Sequence, residues 1–151
     1  MSPTPRTGGP RPGDREEIID LIFTAAEVFD TKAWDRMAEV FTADAVAYGR
    51  CGLAEITANT VRYLDGCGPT QHLVGNCRIR VDGDTATAVS YVRAFHLAAG
   101  ADPFGRAQPP DYWDFLGEYT DTLRRTSSGW RIAIRECRPI AGTGSLRLGE
   151  P

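Results

Sequence analysis

The spacing of apolar residues along this chain changes period once. In DREEIIDLIFTAAEVFD, residues 14–30, Ile18, Ile19, Ile22, Phe23, Ala26 and Phe29 recur at helical spacing, with Asp14 placed as an N-cap and acids in the first turn. TKAWDRMAEVF follows with Trp34, Met37, Val40 and Phe41 on one stripe and predicts a second helix. DAVAYGR predicts a short strand. LAEITANTVRYLDG predicts a third helix through Leu53, Ile56, Thr60, Tyr63 and Leu64, stopped by Gly66. From Thr70 onward the period falls to two. Strands are expected over residues 70–81, 84–98, 113–126 and 130–139, with turns at DGD and SSG and a long loop between the second and third. In the last of them Trp130, Ile132 and Ile134 alternate as the buried row. In the second, Ala86, Ala88, Ser90, Val92, Ala94 and His96 share one face, and the small side chains imply something packed closely over them. Helices first and an antiparallel meander afterwards make an α+β domain.

Composition narrows the partners. At 151 residues the chain is the size of one domain with one core. Residues 1–13 are Pro, Gly and polar residues with nothing to bury, so a mobile tail is expected there, then a domain over 14–141 and a C-terminal tail over 142–151. The net charge is −3 and the 17 Lys and Arg are scattered, which gives no footprint for nucleic acid or an anionic membrane. No run approaches the roughly 18 consecutive apolar residues of a membrane span, and the N-terminus lacks the apolar middle of a signal peptide, so the expected location is the cytoplasm. Cys51, Cys67, Cys77 and Cys137 show neither C-x-x-C pairing nor histidines at metal spacing. Reduced thiols and no cofactor are expected.

With only two histidines in the chain, the one in GPTQHLVGN stands out. A neutral imidazole accepts protons near neutral pH, and a carboxylate on its other nitrogen fixes the tautomer and stabilises the imidazolium that forms. EVFDTKAWDRMAEVFTADAVAYG, TQHLVGN, VDGDTATAVSYVRAFH and GEYTDTLRRTSSGWRIAIREC together resemble the SnoaL-like branch of the nuclear transport factor two-like superfamily over residues 15–140. Within it the segments are most similar to scytalone dehydratase and hexachlorocyclohexane dehydrochlorinase. The resemblance implies a cone-shaped barrel, cystatin-like, in which a long curved sheet of mixed or antiparallel strands wraps three N-terminal helices around a conical pocket. It also implies an Asp–His dyad of Asp30 and His72, a substrate-orienting Tyr48 and a second pocket histidine at His96. Phe29 departs from another tyrosine of the dehydratase, and Tyr119 stands at a pocket asparagine. Arg135 falls near the dehydrochlorinase's pocket arginine and Asp121 on an aspartate of its third strand, but Ala25 replaces its lysine, which disfavours halide elimination.

The residues themselves leave alternatives open. His72 is otherwise a strand histidine with a backbone partner, and Asp30 a helix-terminal acid that opposes the helix dipole and needs a compensating donor. His96 suits core or pocket equally. Tyr48 and Tyr119 suit packing as well as substrate contact. Asp121 points into the pocket or across an oligomer interface, with Arg135 as its partner or as a pocket cation. The loop LAAGADPFGRAQPPDYW, residues 97–113, is expected as a flap carrying Phe104, Tyr112 and Trp113 over the pocket mouth. The expected function is a cofactor-independent lyase, isomerase or cyclase acting on a small, partly apolar carbonyl compound, assembled as a homodimer or homotrimer that covers exposed sheet surface. A small-molecule-binding protein, or an accessory subunit like the small subunit of ring-hydroxylating dioxygenases, is the alternative.

Overall fold

The computed structural model describes residues Gly9–Gly149. The segment expected to be a mobile tail therefore lies largely outside the described residues. Helix α1 spans Asp14–Asp30, a single 3-10 turn Trp34–Arg36 leads into α2 (Met37–Val40), and β1 (Phe41–Ala47) turns tightly into β2 (Arg50–Cys51). After α3 (Leu53–Leu64) come β3 (Cys67–Asp82), β4 (Thr85–Ala98), β5 (Tyr112–Thr126) and β6 (Gly129–Gly144). One sheet has the order β2-β1-β6-β5-β4-β3; β1 pairs with β6 in parallel and every other pair is antiparallel. The sheet is mixed and curved as expected, but it does not close into a barrel: β2 and β3 remain edges.

Three expectations for the helical half change. The buried stripe of α1 is Ile18, Leu21, Ile22, Ala25, Val28 and Phe29, and Phe23 is 47% exposed. Asp14 is not the N-cap, since Gly13 holds that position at φ 88°. Its buried carboxylate accepts hydrogen bonds from Arg125 Nη1 and Nη2 at 2.8 and 2.9 Å and from Trp130 Nε1 at 3.2 Å, pinning the start of α1 to β5 and β6. The expected second helix is reduced to two short turns, because Phe41 already belongs to β1 beside β6.

The core lies between the helices and the inner face of the sheet, where Ile18, Ile22, Met37, Phe41, Ile56 and Trp130 are fully buried. The row of small residues on β4 is buried with His96, and Ala86 and Ala88 pack in the same cluster as α1. Alternation on β6 breaks after Ile132. Leu123 pairs with Ile132 while Thr122 pairs with Ile134, so Ala133 is an extra, bulged residue. The bulge turns Ile134 outward, 42% exposed, and the next residue, Arg135, inward. On the outer face Leu73, Tyr91, Leu116 and Ile140 are exposed.

Candidate active site

Asp30 ends α1 and faces His72 on β3. His72 Nδ1 lies 2.6 Å from Asp30 Oδ1, the His72 backbone N–H donates to Oδ2 at 2.9 Å, and Thr70 Oγ1 donates to Oδ1 at 2.9 Å. The helix-terminal acid thus has its compensating donors. Burial pushes the Asp30 carboxyl up, but the bonds from the His72 ring, its backbone and Thr70 prevail and hold it below its ordinary value. An ionised carboxylate accepts only, so Nδ1 of His72 carries a proton, and in the neutral form of the ring the lone pair is on Nε2.

A cavity of about 390 Å³ opens beside this dyad, with His72 and His96 in its wall. The two rings meet edge to face at 5.5 Å. His96 Nδ1 lies 3.1 Å from the Trp113 carbonyl oxygen, which again assigns the proton to Nδ1. Burial lowers the His96 pKa from its ordinary value, so this ring is neutral at neutral pH. Among the described residues no group of three His, Cys, Asp or Glu side chains is arranged to hold a metal ion.

Tyr48 and Tyr119 also line the cavity. Burial raises both phenol pKa values, against the pull of Arg135, so both hydroxyls stay protonated donors at neutral pH. Asp121 and Arg135 do not line it, which corrects their expected role as substrate contacts. They form a fully buried pair behind the tyrosines, with Arg135 Nε and Nη2 each 2.7 Å from an Asp121 oxygen. The bulge at Ala133 turns Arg135 to the interior, where the carboxylate of Asp121 offsets burial of its charge. Arg135 Nη1 donates to the Tyr48 hydroxyl at 3.5 Å, and the guanidinium lies 4.1 Å from the Tyr119 ring centroid. Because arginine only donates, the oxygen of Tyr48 accepts here and its own O–H is left to donate elsewhere.

The sequence reading missed part of the wall. Asn59, Thr60, Tyr63 and Leu64 form the face that α3 turns to the cavity; the helical spacing included Thr60, Tyr63 and Leu64 without a role in the site, and left out Asn59. The expected flap reaches the cavity only through Trp113, the second residue of β5; Phe104 is 78% exposed and Tyr112 stacks on Phe95 at 5.5 Å. The mouth is flanked instead by the segment after β6, where Leu146 N–H donates to the Tyr112 carbonyl at 3.0 Å and Leu148 lines the cavity. Residues 142–149, expected as a tail, are therefore the end of β6 and part of this wall.

Comparison with known proteins identifies relatives of the chain and of its fold. The chain is 30% identical over 135 residues to the uncharacterized protein Rv2910c of Mycobacterium tuberculosis, covering 81% of this chain and 82% of that one. Two structures from Novosphingobium aromaticivorans share its fold. A candidate aromatic ring hydroxylase has a TM-score of 0.78 and 24% identity over 90% of this chain and 96% of that one. A candidate scytalone dehydratase has a TM-score of 0.75 and 21% identity over 91% of each. Among the described residues no helix is long and apolar enough to cross a membrane. The fold and the cavity support an enzyme-like or ligand-binding role. With residues 11–136 matched by the SnoaL-like domain model, the chain belongs to the SnoaL-like domain family of the nuclear transport factor two-like superfamily.

Proposed function

We propose that this protein is a cofactor-independent lyase, isomerase or cyclase in which His72, oriented by Asp30, moves a proton at a carbon next to a carbonyl. The observation that carries this reading is the 2.6 Å contact between Asp30 and His72 Nδ1, which leaves Nε2 as the basic nitrogen at a largely apolar cavity. Nε2 takes the α-proton, and the electron pair moves onto the carbonyl oxygen, where the protonated hydroxyls of Tyr48 and Tyr119 stabilise the enolate. The enolate then collapses in one of three ways. It expels a β-hydroxyl that receives the proton from His72, is reprotonated elsewhere, or attacks a second carbonyl. His96, held neutral by burial, is the second proton-transfer group within reach of the same space.

Asp30 and His72 within hydrogen-bond reach favour catalysis over plain ligand binding, which would keep the cavity without the dyad. The test is exchange of α-protons with D₂O, followed by NMR, on a panel of bicyclic ketones and β-hydroxy ketones. His72→Ala and Asp30→Asn should each slow exchange by about 10²-fold or more, the scale for losing a positioned base or its orienting group. Unchanged rates in both variants would remove the mechanism, and a wild-type protein that binds the panel without exchanging any of it would favour the binding reading.

A further inference from the structure

We propose that the cavity takes a molecule bearing a carboxylate on an apolar ring system, and that Arg50, steadied by Asn59, binds that carboxylate at the mouth. The inference rests on the cavity assigned above and adds the substrate's charge. It begins with the turn between β1 and β2. Tyr48 and Gly49 have φ of 54° and 71°, the left-handed pair that closes a two-residue hairpin, and this makes Ala47 and Arg50 cross-strand partners. Ala47 is buried on the inner face, so Arg50 opposite it also points inward, and it lines the cavity from a solvent-accessible position.

Among the described residues, Arg50 is the only permanently charged side chain lining the cavity. Its Nε donates to Asn59 Oδ1 at 3.3 Å, and among the described residues no carboxylate lies within ion-pair distance of it. Arg36, Arg93, Arg124, Arg125 and Arg135 each hold an acid. At the cavity the corresponding partner is a neutral amide, which orients the guanidinium without cancelling its charge. Its two terminal nitrogens are left as a planar fork suited to a carboxylate. The rest of the wall is largely apolar and aromatic, with Phe29, Leu64, Trp113, Phe115 and Leu148, and it includes His72, whose side chain is only 6% exposed. An anionic head at the mouth and an apolar body inside place the reacting carbon of the ligand toward the histidine pair.

Calorimetric titration of 2-naphthoate against its methyl ester tests this, because the two probes share an apolar body and differ in charge. Wild type should bind the acid about tenfold or more tightly than the ester, the scale of a charge-assisted contact that is partly open to solvent. Added salt should shrink that preference. Arg50→Gln should reduce the acid to the affinity of the ester and leave the ester unchanged, and Arg50→Lys should restore part of the difference. Equal binding of acid and ester by wild type, binding of neither, or a preference that survives in Arg50→Gln would overturn the inference. The assay needs no turnover, so failure of the His72 mechanism would leave this result standing, and equal binding would remove Arg50's role without touching proton transfer.

Discussion

Replacing Arg135 with Met removes the guanidinium and leaves the carboxylate of Asp121 stranded at a site with no solvent exposure. Among the described residues Asp121 has no side-chain partner other than Arg135, so both of its 2.7 Å bonds are lost together. Breaking a buried pair from one side costs about 3–5 kcal/mol, a large share of the roughly 5–15 kcal/mol that holds a typical domain folded. At roughly 2–4 °C per kcal/mol for a chain of this size, the melting temperature should fall by about 6–20 °C. Met fills much of the volume of Arg, so a cavity adds little to that loss. The second half of the test is Asp121→Leu/Arg135→Met, which removes both charges. Replacing a whole buried pair by apolar groups is often neutral or stabilising, so the double variant should recover to within about 1 kcal/mol of wild type. Equilibrium urea unfolding followed by circular dichroism measures all three proteins. A single variant that loses less than about 1 kcal/mol, or a double variant no more stable than the single, would show that burial of this pair does not govern stability as argued here.

Two further outcomes follow from the surface and from the other ion pair. The bonds from Arg125, above all, hold the Asp14 carboxyl far below its ordinary value of 3.8, so its stabilising contribution is full above that pH and is lost as pH falls toward the folded-state value. Asp14→Asn should therefore melt lower than wild type at pH 7, and the gap should narrow below pH 3.8; a gap independent of pH between 7 and 2.5 refutes the assignment. Leu73, Tyr91, Leu116 and Ile140 on the outer face are proposed to be covered by a second or third copy of the chain. Light scattering should give a dimer or trimer that Tyr91→Lys with Leu73→Lys dissociates, and a monomer at about 50 µM wild type would refute it.

The change of period near residue 66 was sufficient to place α1, α3 and all four long strands, because amphipathic spacing records which face each element buries. The Asp30–His72 dyad was legible as well, through residue types and a resemblance, since a helix-end acid and a scarce histidine are informative before any contact is known. What the sequence did not carry is where alternation slips. The pattern Trp130, Ile132, Ile134 reads as one buried row. The extra residue Ala133 reverses it, and so Arg135 enters the interior to meet Asp121 behind Tyr48 and Tyr119. A bulge is settled by the partner strand's register, which a single strand's hydrophobic pattern does not encode. Asp14 was misread for a related reason: a first-turn acid serves a helix end or a distant cation equally well, and only folding brings Arg125 within 2.8 Å. The cavity wall is likewise a tertiary product. Asn59, Trp113 and Leu148 lie on α3, β5 and the segment after β6, and convergence of elements so far apart in the chain depends on how the curved sheet closes over its helices.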